Sequence, residues 1–229
     1  MNSGNIKVVI VDDHTMFRKG LSSIIMAYPG IEVEGEFENG KQLIQALRTK
    51  KIKPDLCLLD VEMRVMNGYE TMQKLVKSCP WLKVLVISAH DTEFAILKMI
   101  TLGAHGYLSK DTGPPELEHA IRFIHEHGYY HSDLIGASIM NPKRIRQVRS
   151  ISSGDIRHIS YLCSEYSLKE LGERLNRSPR TLEKRSQSLY KKLGVKSRTG
   201  VAVFAAQAGI KPWNGNIGPE NQYQPSANE

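Results

Sequence analysis

Through residue 127 the chain alternates short β-branched runs with stretches of helical period, and this alternation restricts the fold more than any other feature of the sequence. The apolar runs are Lys7–Val11, Ile31–Phe37, Asp55–Leu59, Val84–Ser88 and Gly106–Leu108. Between them, sets such as Phe17, Leu21, Ile24 and Ile25, or Leu117, Ala120, Ile121 and Ile124, each lay one apolar stripe along a helix. Gly40, Gly68, Gly103, Pro54 and Pro114 punctuate the units. The pattern predicts an α/β fold, a doubly wound five-stranded parallel sheet with helices on both faces.

With 229 residues, the chain has room for that core and a second, smaller domain. Charge divides the same way. Residues 1–130 carry 15 Lys/Arg against 16 Asp/Glu, whereas residues 131–229 carry 16 against 8. A polyanionic partner is therefore expected to meet the second part only. No stretch approaches the roughly 20 apolar residues of a membrane helix, and the opening MNSGNIKVVIVDD lacks a secretory apolar region. A soluble, cytoplasmic protein with no membrane partner is expected. Cys57, Cys79 and Cys163 are widely spaced in apolar surroundings and read as reduced packing residues.

Open α/β sheets carry their sites at the carboxyl ends of the strands. Here the first strand ends in Asp12-Asp13, the third in Asp60, the fourth in Ser88 and the fifth in Ser109-Lys110. With the first and third strands adjacent, three carboxylates converge, a costly arrangement unless a cation compensates. A hard ion with oxygen ligands, Mg²⁺, suits such a site. Asp60 can then act as a nucleophile towards phosphorus, with Lys110 and the Ser88 hydroxyl stabilising the transferred oxygens.

The pieces Val11-Asp12-Asp13-His14, Asp60-Val-Glu-Met-Arg-Val-Met-Asn67-Gly68, Val86-Ile-Ser88-Ala89 and Gly106-Tyr107-Leu-Ser-Lys110 resemble the receiver domain of bacterial two-component response regulators. The resemblance implies a flavodoxin-like receiver over residues 1–129, with Asp60 as phosphoacceptor. It implies Mg²⁺ on Asp13, Asp60 and the Glu62 backbone carbonyl, with Asp12 acting through water. Ser88 and Tyr107 fall on its switch pair, and Lys110 on the lysine that contacts the phosphoryl group. Arg64 departs from the family's usual proline, removing a fixed φ beside the site and adding a positive charge.

Periodicity fades over residues 130–150, read as a linker, and capping chemistry then marks helix starts. Ser152…Asp155 and Ser167…Glu170 are capping-box pairs, and Ser178-Pro179 sets an N-cap serine before a first-turn proline. Four short helices are expected, the last near Arg198–Ala208. Residues 211–229, rich in Pro, Gly, Asn and Gln, are expected to be disordered.

Residues 151–210 resemble the LuxR-type helix-turn-helix, through Ser167-Leu-Lys-Glu-Leu-Gly-Glu-Arg-Leu175, Ser178-Pro-Arg-Thr181-Leu-Glu-Lys-Arg185 and Leu189-Tyr-Lys-Lys-Leu-Gly194-Val-Lys-Ser-Arg198. The whole chain is thus similar to NarL/FixJ-type regulators. The third helix, Pro179–Leu193, would meet the second through Leu171, Leu175, Leu182 and Leu189. Glu183, Lys184, Gln187 and Tyr190 are left on or near its outer face, where Lys184 and Gln187 suit base edges in the major groove. Arg177, Arg180, Lys191, Lys192, Lys196 and Arg198 are better read as phosphate contacts. Arg185 stands where the family often has histidine.

The resemblance implies a phosphorylation-controlled DNA-binding transcriptional regulator. Its expected partners are a sensor histidine kinase or a small phosphodonor, double-stranded DNA, and a second copy of the chain once phosphorylated. No enzymatic role is expected beyond loading and unloading Asp60. Two other readings fit less well. A haloacid-dehalogenase-like phosphatase needs D-x-D after its first strand, and a flavodoxin-like cofactor carrier needs a Ser/Thr-rich phosphate loop where Asp12-Asp13-His14 would repel phosphate. A DNA-binding regulator independent of phosphorylation remains an alternative.

Overall fold

Four of the five apolar runs are buried on both faces, as strands inside a parallel sheet are, whereas the edge run Ile31–Phe37 is half-buried beyond Ile31 and carries Glu32, Glu34 and Glu36. The structure is a computed structural model, and it describes residues 5–89, 91–130, 132, 135 and 142–215, the side chains of 142–144 excepted. The strands are β1 Ile6–Val11, β2 Ile31–Phe37, β3 Leu56–Leu59, β4 Lys83–Ser88 and β5 Gly106–Ser109. They form one parallel sheet in the order β2-β1-β3-β4-β5. Asp55, expected inside the third strand, lies just before it, and its Oδ2 accepts the Lys7 N–H at 2.9 Å.

Helices α1 Thr15–Met26, α2 Gly40–Arg48, α3 Gly68–Ser78, α4 Glu93–Thr101 and α5 Pro114–His127 connect the strands. One core gathers Val8, Ile10, Leu56, Leu58 and Leu85 of the sheet with Leu21 and Ile25 of α1 and Leu117, Ile121 and Ile124 of α5. At roughly 1.5–3 kcal/mol for each fully buried aliphatic side chain, this burial drives the assembly. Strand order decides the rest. Because β1 and β3 are hydrogen-bonded neighbours, the residues following Val11 and Leu59 must emerge side by side.

Two compact units are present, Met1–Val148 and Arg149–Glu229. The stretch expected to be a linker contains a helix, α6, at Pro142–Ser150. The second unit holds α7 Ser153–Leu162, α8 Leu168–Leu175, α9 Pro179–Leu193 and α10 Arg198–Ala208. Both expected capping boxes are formed, Ser152 with Asp155 and Ser167 with Glu170, and Ser178 caps α9 through the Thr181 N–H. Leu171 and Leu175 of α8 pack with Leu182 of α9 and Tyr161 of α7.

The expectation of disorder from residue 211 onward is corrected at its start. Trp213 donates its N–H to Ser160 O, and its ring packs edge-on against Tyr161 and Tyr166. One aromatic side chain supplies enough apolar area to fasten Lys211–Gly215 despite its polar composition. The remainder of the tail lies outside the described residues.

Candidate functional site

Backbone hydrogen bonds seat each acidic residue at a strand end. Asp12 N–H donates to Phe37 O at 3.0 Å, Asp60 N–H to Val11 O at 2.9 Å and Lys110 N–H to Ser88 O at 2.9 Å. Gly68, at the start of α3, allows close approach behind Asp60: a Cβ there would lie 2.5 Å from the Asp60 carbonyl oxygen.

The side chains converge as expected. Asp12 and Asp60 are buried, and Lys110 Nζ lies 2.6 Å from Asp12 Oδ2 and 3.1 Å from Asp60 Oδ2. Asp60 Oδ1 accepts the Val61 N–H at 2.8 Å, and Asp13 Oδ2 accepts the Arg64 N–H at 3.1 Å. Arg64 therefore serves the site through its backbone N–H, a donor that the family's usual proline lacks. Burial pushes the Asp60 carboxyl up to about 6, with Lys110 opposing and Asp12 reinforcing the shift. For Lys110, burial works against the charge, but the pairing with Asp12 and Asp60 outweighs it and the pKa is raised.

One ammonium cannot balance three carboxylates, and the donor set fits a hard divalent cation. Ligand atoms of Asp12, Asp13, His14 and Asp60 lie within 4.8 Å of one another. Asp13 Oδ1 is buried and accepts no hydrogen bond, and buried Asp60 Oδ2 faces the Lys110 ammonium. Glu62 follows in the β3–α3 loop, half-buried.

Ser88 and Tyr107 are both fully buried, and their side chains are hydrogen-bonded. Burial, more than this bond, sets the phenol, whose pKa is raised. The Tyr107 ring is thus packed inside, against the Ser88 hydroxyl. The pair is fixed by Ser132, whose Oγ donates to Tyr107 O at 2.7 Å.

Two residues carry roles that the sequence reading missed. Arg18 is buried; its Nη1 donates to Asp12 O at 2.5 Å, and its other nitrogens reach Glu36 and Glu38 at 3.6 and 3.8 Å. It thereby steadies the loop bearing the acidic pair. The available signal was its position three residues before Leu21, on the inner stripe of α1. His14, adjacent to Asp13, points its imidazole back at the acidic pair.

The family of the response regulator receiver domain matches residues 8–122. The chain belongs to that family. The receiver and the helical unit together are similar to the transcriptional regulatory protein DegU of Brevibacillus brevis, 28% identical over 91% of this chain and 96% of that protein. The response regulator UvrY of Escherichia coli is 28% identical over 90% of this chain and 95% of that protein. Among solved structures, the response regulator ChrA of a heme-sensing two-component system matches with 29% identity over 90% of this chain and 99% of its own, at a TM-score of 0.51. RcsB of Salmonella typhimurium shares the fold at a TM-score of 0.65, with 19% identity over 90% of this chain and 98% of its own.

In the helical unit the expected DNA-facing residues divide. Glu183, Lys184, Gln187 and Lys191 lie on the exposed face of α9, opposite buried Leu182, Ser186, Leu189 and Leu193; Arg180 and Lys196 are also exposed, and Tyr190 is half-buried. Three others turn to internal partners. Lys192 Nζ lies 2.7 Å from Asp155 Oδ2; burial pushes the pKa of that capping-box carboxyl up, but this bond together with those to Ser152 outweighs it and the pKa is lowered. Arg198 donates to the carbonyls of Leu162, Ser164 and Tyr166 at 2.5, 2.7 and 2.8 Å. Arg185 is half-buried, its Nη2 where a Cβ on Gly154 would come within 2.8 Å. Lys192 and Arg198, expected at phosphates, meet acceptors within the unit that helix ends and a tight corner leave.

Proposed function

We propose that this protein is a phosphorylation-controlled transcription regulator. Asp60 takes a phosphoryl group from a sensor histidine kinase or a small phosphodonor, and the helical unit, as a homodimer, binds double-stranded DNA. The observation that carries the reading is the setting of Asp60 at the end of β3. Its carboxylate is buried, tied by Oδ1 to the Val61 N–H, faced by Lys110 and flanked by Asp12 and Asp13.

A carboxylate oxygen of Asp60 attacks phosphorus as the donor's leaving group departs, forming an acyl phosphate. Lys110, already between Asp12 and Asp60, pairs with the transferred oxygens. Asp13, Asp60 and the Glu62 carbonyl would hold Mg²⁺, with Asp12 reaching it through water, and the ion would supply neutralisation of the added charge. A phosphoryl oxygen also competes for the Ser88 hydroxyl, now bonded to Tyr107. The exchange of partners at this pair alters the surface around β5, a bistable element through which phosphorylation controls dimerisation and DNA affinity.

For DNA, the support is the exposed face of α9 and the excess of basic residues in the second part of the chain. DegU is a transcriptional regulatory protein, and RcsB has been solved in a complex with DNA. Lys184 and Gln187 read base edges, and Arg180, Lys191 and Lys196 hold phosphates.

A small phosphodonor with Mg²⁺ should raise the intact mass by one phosphoryl group, and neither Asp60→Asn nor chelator-treated protein should gain it. Loading of Asp60→Asn, or loading that survives chelation, defeats the assignment.

A further inference from the structure

We propose that His14 is a nitrogen ligand of the receiver's acidic site and makes it bind first-row transition ions such as Mn²⁺ and Co²⁺ more tightly than its carboxylates alone would. The inference rests on the reading of that site as a divalent-cation site and deepens it.

Position is the first argument. His14 is the N-cap residue of α1, yet its side chain makes no capping bond, whereas Asn39, Asn67, Thr92, Ser152, Ser167, Ser178 and Ser197 all cap their helices. The imidazole turns away from the helix end instead. Nδ1 stands 3.1 Å from Asp13 Oδ1 and 3.3 Å from Asp12 Oδ1. The His14 N–H donates to Asp12 Oδ1 at 2.8 Å, which folds the acidic pair and the imidazole into one compact turn.

A bond is also missing where one would be expected. Asp13 Oδ1 is buried and accepts no hydrogen bond, although Nδ1 is at hydrogen-bonding distance. Nδ1 is hydrogen-bonded to Asp12 Oδ1 at 3.3 Å and stands 3.1 Å from Asp13 Oδ1, so three donor atoms converge where a cation can take the place of the shared proton. The donor atoms of Asp12, Asp13, His14 and Asp60 fall within the 4.8 Å that one ion can span. The His14 side chain is 67% exposed, so an ion seated there keeps positions open to water and to a phosphoryl oxygen.

Chemistry gives the selectivity. Mg²⁺ prefers oxygen and gains little from an imidazole, whereas nitrogen ligands favour Mn²⁺ and, more strongly, Co²⁺. In the full-length protein with sub-stoichiometric Mn²⁺, the electron spin echo should carry modulation from a directly bonded nitrogen, which His14→Gln should abolish. His14→Gln should weaken Co²⁺ binding about tenfold while Mg²⁺ binding stays within about threefold. Bound Mn²⁺ without nitrogen coupling overturns the proposal. So does equal weakening of Co²⁺ and Mg²⁺, which would make His14 only a partner of Asp13, and so does nitrogen coupling that persists in His14→Gln. If the wild type binds neither Mg²⁺ nor Mn²⁺, the cation reading of the site falls as well.

Discussion

At the carboxyl edge of the receiver sheet, like charges are packed together where they oppose one another. In the helical unit, cations are matched to the acceptors they meet. Asp60 bears the first arrangement: its ionised form is disfavoured, and it faces Asp12 as well as Lys110. Arg198 and Lys192 bear the second, spent on three carbonyls and one capping carboxylate. The contrast teaches that a charge held at a cost marks chemistry, while a fully matched one marks architecture. The outer face of α9 belongs to neither class, because Lys184 and Gln187 are exposed.

The largest test of this contrast is Arg198→Ala, which strands three carbonyls at the α7–α8 corner. It should cost the helical unit roughly 3 kcal/mol or more in denaturant unfolding, whereas Lys184→Ala should stay within about 0.5 kcal/mol. A mild Arg198→Ala would return that residue to the pool of DNA contacts.

Acidification should separate the units by sign. Burial, helped by Arg185, holds His158 down to about 4, below its ordinary 6.5, and its Nε2 lies 3.0 Å from Ser186 Oγ. The unfolded chain then binds more protons between those values, so the helical unit loses stability as pH falls from 6.5 towards 4. Asp60 is raised from 3.8 to about 6, so the folded receiver binds more protons in that window and gains stability as pH falls through it. Each effect should be roughly 1–3 kcal/mol. Fluorescence of Trp213 in Trp81→Phe protein follows the helical unit, and Trp81 in Trp213→Phe protein follows the receiver. Saturating Mg²⁺ should suppress the receiver's gain, since bound metal keeps Asp60 ionised. Shifts of the same sign in both units would break the comparison.

At the DNA-reading face, Lys184→Ala or Gln187→Ala should reduce discrimination between target and random duplexes by about 1–3 kcal/mol per lost base contact. Lys191→Ala should weaken both duplexes alike and lower the salt slope by about 1. Unchanged preference in all three variants would remove α9 from the groove.

The smallest effect concerns backbone. Val65, at φ 67°, closes a three-residue turn in which Met66 N–H donates to Arg64 O at 2.7 Å, beside the receiver's acidic site. A β-branched residue is strained there, so Val65→Gly should stabilise the receiver by about 1 kcal/mol. Asn176, at φ 51°, ends α8 in a conformation asparagine tolerates, so Asn176→Gly should change the helical unit by only a few tenths of a kcal/mol. Equal gains would show that the strain is not concentrated at the phosphoacceptor.

Much of the molecule was legible from local signals. Strand runs, capping pairs and the residues at strand ends are written within a few positions of one another, and local sterics and hydrogen bonding act on that scale. Asp12, Asp13, Asp60 and Lys110 were found because a parallel sheet must deliver its strand ends to one edge. The phase of α9 was likewise legible, since Leu182, Leu189 and Leu193 recur at the helical period.

What the sequence could not settle is which partner each charged or aromatic side chain would find across the fold. Arg198 resembles any basic surface residue until the α7–α8 corner presents it with three carbonyls. Trp213 stands in a polar stretch, and only Tyr161 and Tyr166, some 50 residues earlier, give it somewhere to bury. His14 and Arg18 acquire their places from the acidic edge and from Glu36 on β2. Backbone conformation and apolar period are short-range properties that a linear sequence carries openly. The pairing of a cation or a ring with distant groups exists only once the chain has closed and excluded the water that would otherwise satisfy them.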